Sequence, residues 1–176
     1  MAAWTHIAHN SLSLPAAAVT WASIPSSYDH LCIKCSIRTA KSSYYDNIDF
    51  RVGNSSIDTG NNYSMTNVQA FTTTVQSGRG ASLDSIWYIY VSGDNATADA
   101  FGTVDIWIPN YANTVGYKQV ISRSHADNAS GTNSQWGVMF TSGLWSSTSA
   151  IDTVGFSNGD NFMANSTFDL YGILGA

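Results

Sequence analysis

Leu31-Cys32-Ile33-Lys34-Cys35-Ser36-Ile37-Arg38 is the stretch on which the fold turns. Leu31, Ile33, Cys35 and Ile37 fall on one side of an extended chain, and Cys32, Lys34, Ser36 and Arg38 fall on the other. That period of two belongs to a strand with one buried face. It returns where Ile48, Phe50 and Val52 alternate with Asp49 and Arg51. It returns again where Val104, Ile106 and Ile108 alternate with Asp105 and Trp107, until Pro109 stops the strand. Residues 17–24, 63–72, 85–92, 117–124, 135–141, 151–156 and 167–174 are further candidates, so about ten strands are predicted. Ile86-Trp87-Tyr88-Ile89-Tyr90-Val91 is apolar or aromatic on both faces and is expected to lie centrally or against a second surface. Turns are predicted at Gly53-Asn54-Ser55-Ser56, Gly93-Asp94-Asn95, Asn128-Ala129-Ser130-Gly131 and Ser157-Asn158-Gly159-Asp160.

Composition points the same way. All 12 acidic residues are aspartates. Glutamate favours helices, whereas aspartate competes for nearby backbone N–H groups and belongs in caps and turns. Short strands separated by such turns predict an all-β chain, a two-sheet antiparallel β-sandwich of the jelly-roll type, over residues 1–176 as one domain. The charged fraction is 11% and the net charge −5, so most of the polar surface is hydroxyl and amide. Seven scattered Lys and Arg residues form no basic stripe, which argues against nucleic acid and an anionic membrane surface as partners. No stretch is apolar enough to span a bilayer, and Met1-Ala2-Ala3-Trp4-Thr5-His6 lacks the basic and apolar regions of a signal peptide. The Asn-x-Ser/Thr triplets at Asn54, Asn62, Asn95, Asn128 and Asn165 are accordingly read as products of composition.

The motifs that resemble chemistry are each better read as structure. Cys32 and Cys35 have a Cys-x-x-Cys spacing, but residues three apart on a strand face opposite sides, so two reduced thiols are expected. Asp58-Thr59-Gly60, with Leu170-Tyr171-Gly172, imitates an aspartic protease. That chemistry needs two facing carboxylates, and Asn61-Asn62 follow the triplet as a turn would. His6 and His9 are three apart, His30 and His125 are isolated, and no Cys or carboxylate joins them at zinc-site spacing, so no metal ligand is assigned. Asp94-Asn95-Ala96-Thr97-Ala98-Asp99 could wrap calcium but lacks the dense acidic pattern of an EF-hand. No nucleophile elbow, P-loop or dinucleotide fingerprint is present, so neither catalytic residues nor a cofactor are predicted. Trp107, Tyr111 and Trp145 stand at strand ends or opposite the core pattern and are the candidate contacts for a glycan or partner. Aromatic rings in a sandwich also commonly fill its core.

Several segments, in order, resemble a family of phage virion structural proteins. Ile24-Pro25-Ser26-Ser27-Tyr28-Asp29-His30-Leu31 is similar to that family's Ile-Pro-x-x-Tyr-x-His-Leu lead into a strand ending near an arginine, here Arg38. Phe50 and Asp58-Thr59-Gly60-Asn61-Asn62-Tyr63-Ser64 resemble its Arg-Phe-Asn and Asp-x-Gly-x-Asn-Tyr region, although the order here is Asp49-Phe50-Arg51. Ala100-Phe101-Gly102, Asp105-Ile106, Asn110-Tyr111-Ala112-Asn113-Thr114, Tyr117-Lys118, Ser142-Gly143-Leu144-Trp145, Thr148, Ala150-Ile151 and Phe168-Asp169-Leu170-Tyr171-Gly172-Ile173 continue the pattern. The resemblance implies a jelly-roll-like sandwich, a homotrimer, and display on a virion assembled in the host cytoplasm. Its partners would be the major capsid protein or other virion proteins. Strand-like sequence from one end to the other leaves no room for a shaft, so a capsid decoration, or cement, protein is expected. The alternative is a tail-fibre or receptor-binding module that recognises a host surface glycan.

Overall fold

The computed structural model describes residues 3–71, 74–126 and 137–175, and among these it contains strands and no helix. The strands are β1 (Ala3–Ser11), β2 (Ala16–Trp21), β3 (His30–Ile37), β4 (Tyr45–Asn47), β5 (Asp49–Asn54), β6 (Ser56–Ile57) and β7 (Tyr63–Phe71). They continue with β8 (Thr74–Leu83), β9 (Tyr90–Ser92), β10 (Gly102–Pro109), β11 (Lys118–Ala126), β12 (Gly137–Trp145), β13 (Thr153–Phe162) and β14 (Thr167–Leu174). An eight-stranded antiparallel sheet has the order β1-β14-β3-β10-β11-β12-β7-β8, and a four-stranded sheet the order β2-β13-β5-β6. The first strand pairs with the last in one sheet and the second with the last but one in the other. This is the winding of a jelly-roll-like β-sandwich.

The apolar sets found by alternation face inward. Leu31, Ile33, Cys35 and Ile37 of β3, Val104, Ile106 and Ile108 of β10, and Phe168 and Leu170 of β14 are buried. Across the sandwich they meet Val19, Phe50, Val52, Val154 and Phe156 in one cluster. Phe156 bridges the layers, with ring centroids 5.1 Å from Phe50 and 5.4 Å from Phe168. Burying each such side chain stabilises the fold by roughly 1.5–3 kcal/mol.

Four strands cannot cover eight. Residues 86–91 fill the difference, in the central position expected of them but with only Tyr90 and Val91 in a strand. On one side Ile86 exchanges backbone hydrogen bonds with Phe50 (2.9 and 3.0 Å), and the Ile48 amide donates to the Ile89 carbonyl (3.0 Å). On the other, the Thr141 hydroxyl donates to the Tyr88 carbonyl (2.7 Å) and the Tyr90 amide donates to Ser124 Oγ (2.8 Å). Hydroxyls of β11 and β12 thus replace the ladder partners that a full strand would need. β4 and β9 complete the cover as a short pair.

The strands missed by alternation are β1, β4, β6 and β8. β8 is an edge strand with most residues exposed, so no apolar period marks it. Ser157-Asn158-Gly159-Asp160 is not the predicted turn; it lies inside β13, where the pairing with β2 slips between Ser157 and Phe162. It is a bulged strand, and Gly and Asn mark bulges as readily as turns. The turn predicted at Asn128-Ala129-Ser130-Gly131 and the first residues of the strand predicted at 135–141 lie outside the described residues.

Two resemblance segments meet at the end of the sandwich. The Asp29 amide donates to the Ile173 carbonyl (2.9 Å), and the Tyr28 ring lies so close to Gly172 that a Cβ there would stand 2.4 Å from it. Only glycine fits under that ring.

Arg38, just past β3, is 6% exposed. Its Nη1 donates to the carbonyls of Thr97 (2.7 Å) and Ala100 (3.2 Å), and its Nη2 to those of Asp94 (2.8 Å) and Ala96 (3.1 Å). The segment that could wrap calcium therefore turns its carbonyls onto a guanidinium. Arg38→Met would take a charged donor from each of these carbonyls, leaving Thr97 the Ala100 amide (3.1 Å), and is expected to cost about 3 kcal/mol or more in urea unfolding. Arg38→Lys should recover only part, because an ammonium lacks the planar fork that spans the loop; a lysine variant as stable as the parent would show the fork to be dispensable.

Candidate functional site

The three aromatic candidates separate. Tyr111 and Trp145 are 0% and 3% exposed, so neither ring offers a free face to a sugar. This corrects their placement as surface contacts: both turn inward at the strand ends, and each satisfies its polar atom within the protein. The Tyr111 hydroxyl donates to the Pro25 carbonyl, and Trp145 Nε1 donates to Asp58 Oδ2 (2.7 Å). Trp107 alone stands on the outer face of the large sheet, half-buried.

Asp58 is a turn residue. Its Oδ1 accepts from the Gly60 amide (2.8 Å), and its Oδ2 accepts from Asn62 Nδ2 (2.9 Å) as well as Trp145. Burial pushes its pKa up, but the hydrogen bonds from Trp145, Asn62 and Gly60 outweigh that and hold it below the ordinary value. Its partners are all donors, and among the described residues no second carboxylate is bonded to it. The Cys32 and Cys35 thiols are free and lie on opposite faces of β3, Cys35 in the core and Cys32 outside it. Burial raises both thiol pKa values, Cys35 the more.

What alternation does not reveal is how the outward residues of neighbouring strands line up. On the large sheet, Tyr171, Cys32, Trp107 and Ile121 form one cross-strand row. Asp169, Lys34, Asp105, Arg123, Phe140 and Val68 form the next. Trp4 packs beside the first row, its ring 5.8 Å from Tyr171 and 6.4 Å from Trp107. His30 flanks Trp107 at 5.4 Å. In the second row Asp105 accepts from Lys34 Nζ at Oδ1 (2.8 Å) and from Arg123 Nε at Oδ2 (2.7 Å). Burial raises the Asp105 pKa, but these two cationic donors more than reverse it. Between the rows lies a groove of about 300 Å³ walled by Trp4, Trp107, Ile121 and Phe140, with Lys34, Asp105 and Arg123 along one side.

From Phe140 outward the face stays apolar. Phe140 stands opposite Val68, and Val138 opposite Ala70, which in turn faces Val75. Val68, Val75, Ile121, Val138 and Phe140 are all exposed large apolar residues, between 40% and 71% accessible. Arg79 and Arg123 are exposed at the margins of this patch. Contiguous apolar area rimmed by polar groups marks an interaction surface.

The histidines assigned no partner have one. Asp169 of β14 lies between His6 and His9 of β1, with His9 Nδ1 at 2.7 Å and His6 Nε2 at 3.2 Å from its Oδ1. Pairing across distant strands carries no sequence-spacing signal, so a search for local motifs passes over it.

No protein-family model, curated protein or solved structure matches this chain.

Folding lowers the carboxyl pKa of both Asp58 and Asp105. The stability they contribute is therefore complete above the unfolded value of about 3.9 and is lost as pH falls through the lower folded values. Urea midpoints are expected to drop on acidification from about pH 5 to pH 2.5, with a shallower slope for Asp58→Asn and Asp105→Asn. Slopes identical to the parent would show that neither carboxylate is linked to folding.

Proposed function

We propose that this chain is a non-catalytic structural protein of a phage particle, a decoration protein that sits on the head as a homotrimer and reinforces the shell. The observation that carries the reading is the apolar patch on the large sheet, where Val68, Ile121, Val138 and Phe140 stand exposed on three adjacent strands. Its occupant in this reading is the major capsid protein. An apolar centre edged by Arg79 and Arg123, on a chain of net charge −5, suits a shell surface with an apolar spot and carboxylates around it. The phage assignment and the trimer rest on the family resemblance. Repeated copies at the symmetry axes of a shell would let a modest contact act many times over.

A second reading has its own observation. The groove between Trp4 and Trp107, with Asp105 and Arg123 on its flank, combines flat rings with charged hydrogen-bonding groups, the combination that holds a sugar. It favours a tail module that recognises a host glycan.

Electron microscopy of the intact particle is expected to show many copies distributed over the head. Particles lacking the protein should break at lower temperature while adsorbing normally. Phe140→Asp with Val138→Asp should weaken binding to undecorated shells at least about tenfold, the effect of losing a central interface contact, without altering circular dichroism. Density confined to the tail, with adsorption lost and blocked by free sugar, would replace this reading with the second.

A further inference from the structure

We infer that His6, His9 and Asp169 form a binding site for a divalent transition cation, with Zn²⁺ the best match, on the outer face at the edge of the large sheet. The first observation is convergence. One ligand atom from each residue lies within 4.8 Å of the others: His6 Nε2, His9 Nδ1 and an Asp169 carboxylate oxygen. Around Zn²⁺, with metal–ligand bonds of about 2.0–2.2 Å, tetrahedral ligands sit roughly 3.4 Å apart. The observed separations of 2.7 and 3.2 Å need only small side-chain rotations to reach that spacing.

The second observation is how the two histidines come to share a face. Residues three apart on a regular strand point to opposite sides. Here the register of β1 against β14 slips: His6 pairs with Tyr171, but Ala8 pairs with Leu170 and His9 with Asp169. Ile7 is the extra residue, and a bulge at that point turns His9 onto the side already occupied by His6 and Asp169. Without the bulge, His9 would face inward.

The third is that among the described residues no other side chain is bonded to the Asp169 carboxylate. Lys34 stands directly opposite Asp169 on β3, yet its ammonium donates to Asp105 at 2.8 Å. The Tyr171 ring packs edge-on against His6 at 5.3 Å and limits its orientation. Both histidine side chains are 49% exposed, so a hydrated ion can reach them. Two imidazoles and one carboxylate select a borderline cation over Ca²⁺ or Mg²⁺, which prefer oxygen cages. Three protein ligands leave a fourth position to water. The ion would join β1, held in the sheet by β14 alone, to its neighbour by a second kind of bond.

The test uses untagged full-length protein stripped of metal. Titration with ZnCl₂ in a calorimeter is expected to show one ion per chain and a rise in melting temperature. His9→Ala and Asp169→Asn should each weaken binding at least about tenfold, and His30→Ala should leave it unchanged. Nuclear magnetic resonance of the unaltered protein gives a second readout that no folding defect can blur: the His6 and His9 imidazole signals should shift with Zn²⁺ while those of His30 and His125 stay in place. Absence of saturable Zn²⁺ binding, binding unchanged by His9→Ala and Asp169→Asn, or shifts confined to His30 or His125 would each overturn the assignment.

Discussion

Arg38 is the point at which the connection from β9 to β10 and the link between β13 and β14 are tied together. Its side chain gathers the carbonyls of Asp94, Ala96, Thr97 and Ala100, shaping the turn that leads from β9 into β10. Its backbone meets the other connection: the Met163 amide donates to the Arg38 carbonyl (2.8 Å), and the Arg38 amide donates to Ser166 Oγ (3.2 Å), in the link between β13 and β14. One residue beyond, the Thr39 amide donates to Ser92 (2.9 Å). A buried cation is tolerable only if its hydrogen bonds are met. Because backbone carbonyls from one loop meet them, the loop has little freedom to adopt another path.

The unequal sheets have a second consequence. A four-stranded layer leaves the inner face of β11 and β12 to be covered by residues 86–91, and that is why those strands carry inward hydroxyls. Ser122, Ser124 and Thr141 are buried polar residues on faces that would otherwise be aliphatic. Ser124 and Thr141 bond directly to the covering segment. Gly143 of β12 makes room for Ile86, whose Cδ1 would lie 2.4 Å from a Cβ there. Small and hydroxylated residues on an inner face are thus the imprint of backbone packed on sheet.

Much of this was legible in the chain itself. Strands with one dry and one wet face announced themselves by alternation, and the exclusive use of aspartate had a structural meaning. Asp58 and Asp152 accept backbone amides of Gly60 and Ser55, each from a side chain short enough to reach into its own turn or a neighbouring one. The edge strand β8 was hidden because solvent on both faces imposes no period. Tyr111 and Trp145 were misplaced because their positions at strand ends do not reveal which way a ring turns. The His6, His9 and Asp169 cluster was invisible for two separate reasons: the carboxylate comes from the other end of the chain, and one bulged residue reverses the facing that regular alternation assigns.

That contrast follows from what each face of a sheet must satisfy. The inner face is constrained by volume and dryness, so its residues are drawn from a narrow set and repeat with a period that can be read locally. The outer face is constrained only by what it touches. Its rows are assembled from strands far apart in sequence, Asp169 beside Lys34 beside Asp105 beside Arg123, and no single strand carries the pattern. An outer face left to solvent alone has no reason to align aromatic rings along one row and to keep Val138, Phe140 and Val68 exposed beside them. Solvent rewards polar side chains at such positions, and this chain supplies serine and threonine elsewhere in abundance. In the proposed reading these apolar rows face the partner, which puts the contact on the large sheet rather than at its turns.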